Sequence, residues 1–158
     1  MNASQSKSAP KIEVIVRGVC VLDNQVLLCR NVNSNLFYLP GGHIEFRETA
    51  IQALKREIHE ELGVEAVVGA FLGCCEHAFL QKGEAHAEIN LVFEMRIPAY
   101  HSAMIVSTAE AWLAFEWCAL SRMQEVLLEP APLRELLPEW LKNPGGHFVS
   151  GDAWCVQA

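Results

Sequence analysis

The chain has 158 residues, 51 % hydrophobic and 20 % charged, with a formal net charge of -7 at neutral pH, which suits one domain with a core of its own. No apolar run approaches the ~18 residues needed to cross a membrane, and no cluster of Lys and Arg exists to neutralise a row of phosphates, which argues against nucleic-acid binding. Any phosphate-bearing ligand would need cations supplied from elsewhere.

Residues 1–11, MNASQSKSAPK, are small and polar without the apolar stretch of a signal peptide, and are expected to form a flexible leader. Glu13 to Arg30 reads EVIVRGVCVLDNQVLLCR: two β-rich runs, Val14 to Leu22 and Val26 to Arg30, joined by the turn residues Asp23 and Asn24. The first run is apolar on both alternations, as in a strand covered on both faces, so helices are expected on either side of the sheet. Phe37-Tyr38-Leu39 predicts a short strand that Pro40-Gly41-Gly42 ends as a turn.

From Glu48-Thr49 onward, Ile51, Leu54, Ile58 and Leu62 recur at helical spacing, and Gly63 stands where a left-handed C-terminal residue is wanted. Further strands are predicted for Val64 to Phe79, Ala87 to Ile97 and Leu113 to Leu120. A short helix opened by a Ser cap is predicted for Ser121 to Leu128, and a second helix for Pro132 to Lys142. Residues 12–143 then make a single domain, and 144–158 an irregular tail. The six cysteines (Cys20, Cys29, Cys74, Cys75, Cys118, Cys155) show no metal-binding spacing, and read as reduced thiols of a cytoplasmic protein. Dimerisation would suit the apolar strands and the unassigned tail.

The predicted helix carries Glu57, Glu60 and Glu61 at i, i+3 and i+4, so their carboxylates converge on one side. Like charges at that spacing cost about 0.2–0.5 kcal/mol, and acids near the C-terminal end oppose the helix dipole. Something must compensate. Arg56 can bridge Glu60 four residues on, and a divalent cation of the Mg²⁺ or Mn²⁺ kind prefers carboxylate oxygens. A merely solvated acidic face would be the plain alternative.

Context decides between them. In one register the chain reads Gly42, five residues, Glu48, seven residues, Arg56-Glu57-Ile58, one residue, Glu60-Glu61, one residue, Gly63-Val64. This resembles the Nudix box of the MutT-related Nudix hydrolases, with every fixed position filled. The resemblance implies an α/β fold, an α/β/α sandwich around a mixed sheet, and cleavage of the pyrophosphate bond of a nucleoside diphosphate linked to another group. It implies Mg²⁺ or Mn²⁺ held by Glu57, Glu60, Glu61 and the Gly41 carbonyl, with Arg56 orienting the glutamates and Glu48 holding Arg56. Water would attack phosphorus, its proton passing to Glu60, Glu61 or a downstream carboxylate, for which Glu116 and Glu110 are candidates.

Outside the box, Arg30 at the end of the second strand is a candidate for holding a substrate phosphate. His77 and His86 flank a loop where a base or substrate contact could sit, or are satisfied by local hydrogen bonds. Phe79, Tyr38, Phe37 and Trp117 could stack a nucleobase or serve the core. Arg47 stands where many relatives of the family have glycine. A catalytically silent, nucleotide-sensing domain is the competing expectation, though such a domain would be free to lose the box glutamates.

Overall fold

The computed structural model describes residues 11–81, 83–101, 104–108 and 110–149. The first long strand, β1 (Ile12–Val19), is followed by β2 (Val21–Leu22), β3 (Gln25–Asn31), β4 (Phe37–Tyr38) and β5 (Gly41–His43). Then come α1 (Ala50–Leu62), β6 (Val67–Gln81), β7 (Glu84–Arg96), β8 (Leu113–Ala119), a 3₁₀ turn (Leu120–Glu125), β9 (Leu128–Glu129), α2 (Leu133–Lys142) and β10 (His147–Val149). Most of the leader and the end of the tail, with Cys155, lie outside the described residues.

Two sheets result. One runs β10-β6-β7-β1-β5, and the other β2-β3-β4-β9 with β8 also paired to β3. Both are mixed: β1 is parallel to β7 and antiparallel to β5, and β4 is parallel to β9 while β3 is antiparallel to β8. The β2–β3 hairpin turns on Asp23 and Asn24, both at positive φ (45° and 61°), the backbone that a tight two-residue hairpin requires and that Asp and Asn tolerate.

β3 shows why the chain needs apolar residues on both alternations. Leu27 and Cys29 enter a core with Val16 and with Ala53, Leu54, Ile58 and Leu62 of α1. Val26 and Leu28 enter a second core with Leu133, Leu137 and Trp140 of α2. Leu27 and Leu28, sequence neighbours, are both wholly buried, each contributing roughly 1.5–3 kcal/mol. One helix therefore serves each core, as the sequence led us to expect. In α1 the buried stripe includes Ala53, whereas Ile51 is 43 % exposed.

Three local expectations are corrected. Gly41 and Gly42 do not merely turn the chain; with His43 they form β5, paired antiparallel to Ile15–Arg17. Residues 147–149 are not irregular, because they pair parallel to Gly73–Cys75 at the edge of β6. The Ser121 cap is absent: the 3₁₀ turn begins after Ala119 with no side-chain cap.

Candidate active site

α1 is punctuated at both ends. The Thr49 hydroxyl accepts the Gln52 backbone N–H at 3.3 Å while the Gln52 side-chain Oε1 accepts the Thr49 N–H at 2.8 Å, a reciprocal cap. At the other end Gly63 sits at φ 66° and donates to the His59 carbonyl. The helix so fixed presents Glu57, Glu60 and Glu61 beside β5.

Arg56 organises this region, and each of its N–H groups finds an acceptor. Its Nε and Nη2 reach the two oxygens of Glu48 at 3.2 and 2.8 Å. Nη1 donates to Glu57 at 2.8 Å and Glu60 at 3.1 Å, and Nη2 also to the His43 carbonyl at 3.0 Å. The guanidinium thus ties together helix, preceding loop and β5. Glu48 is also fixed by the Glu45 N–H at 2.8 Å; the Arg56 hydrogen bonds, then that backbone bond, hold its carboxyl below the usual range. Arg56 itself is raised, chiefly by Glu48.

The glycines of β5 make the close approach possible. A Cβ on Gly42 would fall 2.4 Å from the Glu57 carboxyl carbon, and one on Gly41, at φ +132°, would fall 2.1 Å from the Val16 carbonyl oxygen. Only a chain without side chains here lets the acids of α1 lie against the strand.

Glu61 differs from its neighbours. Its Oε2 is buried without a hydrogen-bond partner. Burial, then the charges of Glu57 and Glu110, push its carboxyl up to about 8, against the pull of Arg17 and the Gly41 N–H. Thr108 Oγ1 donates to the Glu61 carbonyl at 3.2 Å, and the Glu110 N–H donates to that hydroxyl at 3.0 Å. The loop bearing Glu110 is thereby anchored to the end of α1.

Among the described residues, no three His, Cys, Asp or Glu side chains make a ready-made metal cage. A cation of the Mg²⁺ type rarely uses one; one or two carboxylates with substrate phosphates and waters suffice. An unpartnered, buried carboxylate oxygen among other acids fits that role, so the residues present suit such an ion.

Glu61 and Gly41 stand in the wall of a cleft of about 720 Å³, also lined by Arg17, Cys29, Asn31, Tyr38, His77, Phe79, His86, Glu88, Trp112 and Glu129, among others. On the β6–β7 hairpin, Phe79 stacks against His77 (ring centroids 5.0 Å apart) and His86 (5.1 Å). His77 also lies 3.8 Å from Glu129, which Arg134 holds at 3.0 Å. These aromatics line the cleft rather than the core. Phe37 and Trp117 instead pack against the two cores.

Arg30 and Glu116 are not brought to this cleft. On β3 the lining residues are Cys29 and Asn31, and Arg30 between them faces the other way by strand alternation. There it binds Glu116 at 2.6 Å and Asn35 at 3.3 Å. Each charge is spent on the other; Glu110, whose carboxylate accepts from the Trp112 indole N–H, is the downstream acid whose charge acts on Glu61. Arg47, at φ 73° in the loop before α1, is not among the lining residues.

The sequence reading passed over Arg17. Of the described lining residues it is the only Arg or Lys. It donates from Nε to Asn90 at 3.2 Å and from Nη1 to the Leu39 and Gly41 carbonyls at 3.2 and 3.3 Å, with Tyr38 beneath it, the ring centroid 5.5 Å away. Asn90 is wholly buried and donates onward to Glu88 at 3.2 Å. A charged residue within the apolar run VIVRGV of β1 was the available signal.

The NUDIX domain model matches residues 13–143. The chain is 28 % identical over 127 residues to a CTP pyrophosphohydrolase of Escherichia coli (strain K12), covering 78 % of this chain and 87 % of the relative. It is 28 % identical over 149 residues to a MutT-like protein of Streptomyces ambofaciens, covering 94 % and 89 %. The crystal structure of a MutT protein from Methanosarcina mazei Go1 superposes with a TM-score of 0.65 at 19 % identity, over 87 % of this chain and 99 % of that one. With the glutamate helix, the glycine strand and the cleft in place, these likenesses make the chain a member of the NUDIX family, a Nudix-type hydrolase.

Proposed function

We propose that the protein is a Mg²⁺- or Mn²⁺-dependent pyrophosphohydrolase that cleaves a nucleoside diphosphate linked to another group. The observation that carries this is the unpartnered buried oxygen of Glu61 in the cleft wall, among carboxylates that repel one another. Glu57, Glu60, Glu61 and the Gly41 carbonyl would hold the cation. When bound, it neutralises charge on the phosphate oxygens and acidifies nearby water.

The chain's own groups divide the remaining work. Arg56 keeps Glu57 and Glu60 in place and is itself held by Glu48. Water attacks phosphorus on the side opposite the leaving oxygen, and its proton passes to Glu60, Glu61 or Glu110, carboxylates at or beside the cation site. Glu60 is 57 % exposed and bound to Arg56. Glu110, placed to repel Glu61, keeps its carboxyl raised.

Nucleoside triphosphates head the substrate classes to be tried, because relatives matched over most of this chain include a CTP pyrophosphohydrolase. The Phe79, His77 and His86 rings offer a surface on which a base can stack. Shared with an ADP-ribose pyrophosphatase and RNA pyrophosphohydrolases are shorter stretches, 38 % and 32 % of this chain. We place the enzyme in the cytoplasm, in keeping with free cysteines whose thiols burial pushes up, Cys29 and Cys75 to about 12. No helix among the described residues is long and apolar enough to cross a membrane.

The test is phosphate release, with and without added phosphatase, across nucleoside triphosphates, ADP-ribose, nucleotide sugars and dinucleoside polyphosphates in Mg²⁺ and Mn²⁺. Turnover of one class, abolished by EDTA and restored by metal, is the expected result. Ligand binding without turnover would instead indicate a silent sensing domain.

A further inference from the structure

The cleft that must accept a polyanion is itself acidic, with Glu13, Glu61, Glu88 and Glu129 in its wall. Arg17 is the exception, the only Arg or Lys among the described lining residues. The chain's other candidate cation, Arg30, is committed to Glu116 on the opposite face of β3. Histidines cannot replace a permanent cation, since they are charged only when protonated.

Arg17 is held loosely for so buried a guanidinium. Its bonds to Asn90, Leu39 and Gly41 are 3.2, 3.2 and 3.3 Å, all longer than the 2.7–2.9 Å of a strong charged pair. Among the described residues its Nη2 has no acceptor. Tyr38 supports one face of the guanidinium plane, leaving the edge to choose partners. Position matters too: Gly41 accepts from Arg17 through its carbonyl and donates to Glu61 through its N–H, so the guanidinium stands within a peptide's length of the reacting end of the cleft.

From this geometry we infer that Arg17 is a substrate-contacting residue, its free Nη2 edge reserved for a phosphate oxygen of the bound nucleotide. The inference rests on the proposed nucleotide substrate. Asn90 and Tyr38 position the guanidinium, and Asn90 in turn donates to Glu88. The nucleotide then lies with its phosphates between Arg17 and Glu61, and its base toward Phe79.

The experiment compares parent, Arg17→Gln and Arg17→Lys by calorimetric titration with α,β-methylene analogues of ATP, CTP, GTP and UTP in Mg²⁺, at low and high salt, alongside thermal melts. Gln keeps an amide donor where Nε stands, facing Asn90, while losing the charge and the outer fork. Arg17→Gln should weaken binding of the best analogue by about tenfold to a hundredfold and flatten its salt dependence, with melting near that of the parent. Arg17→Lys should recover part of the loss, keeping the charge but not the fork. An Arg17→Gln protein that binds within about twofold of the parent overturns this role and leaves the nucleotide substrate standing. Equal weakening in both variants, with both melting low, marks a structural prop and also overturns it. A parent that binds none of the analogues removes the nucleoside-triphosphate substrate and overturns this role with it.

Discussion

Arg56 grips Glu48 with two prongs across eight residues of sequence, Nε to Oε2 at 3.2 Å and Nη2 to Oε1 at 2.8 Å. The same guanidinium holds Glu57 and Glu60, so its loss should harm fold and chemistry together. Arg56→Ala is expected to cost about 2 kcal/mol, roughly 4–8 °C in melting temperature at this length, and most of the turnover. Arg56→Lys, with a point charge in place of a fork, should lie between. A melt of Arg56→Ala indistinguishable from the parent would contradict the tie between loop, strand and helix.

Glu61 makes a prediction about pH in the metal-free protein. Its carboxyl is raised from the ordinary 4.5 to about 8, so the folded state binds a proton that the unfolded state has released. The contribution is fully present below about pH 4.5 and lost as pH rises through about 8, a difference on the order of 5 kcal/mol. Melting temperature attributable to this group should fall over that window, and Glu61→Gln should remove that part of the slope and melt higher than the parent at pH 8. Mg²⁺ should stabilise the parent at pH 8 and do little for Glu61→Gln. A variant that melts lower at pH 8, or retains near-normal turnover, would be the contrary result.

The two glycines of β5 should fail differently. A methyl group on Gly41 meets backbone at positive φ, so Gly41→Ala should destabilise by at least about 2 kcal/mol. On Gly42 the methyl meets the Glu57 carboxyl, which can swing aside only by leaving Arg56. Gly42→Ala should therefore melt within a few degrees of the parent while losing turnover by tenfold or more. Denaturant titration beside initial rates separates the cases, and equal activity in Gly42→Ala and parent would sink the packing argument.

Arg30 and Glu116 are expected to be dispensable for catalysis because they neutralise each other away from the cleft. Arg30→Met and Glu116→Gln should each retain kcat/KM within about threefold, with surface-pair stability losses below about 1 kcal/mol. Glu110→Gln, beside Glu61, should move the pH dependence of melting in the metal-free protein to lower pH, since one source of repulsion has gone. A large loss from Glu116→Gln would restore it as a candidate.

What was legible in the sequence was what obeys a period. The glutamate helix, its glycine stop and the two-faced first strand, with Val16 in one core and Val19 in the other, follow from spacing, and the structure places them accordingly. Pairing in three dimensions was not legible. Gly41-Gly42 looks like a turn because nothing local says that Val16 lies opposite, and residues 147–149 have no period until β6 supplies an edge. Arg30 was chosen for standing at a strand end, but alternation sends it to Glu116. Arg17 was hidden because a lone charge in an apolar run reads as noise until Asn90, from a strand far along the chain, meets it.

The Phe79–His86 pair sits near the tip of the β6–β7 hairpin, a few residues from its connection, whereas the acids proposed to hold the cation belong to α1. Reagents for chemistry and surfaces for discrimination thus ride on separate pieces of chain. Descendants could exchange one nucleobase preference for another by altering the hairpin tip alone, inheriting the hydrolytic apparatus unchanged. Engineers seeking new selectivity should randomise that tip and leave the helix untouched.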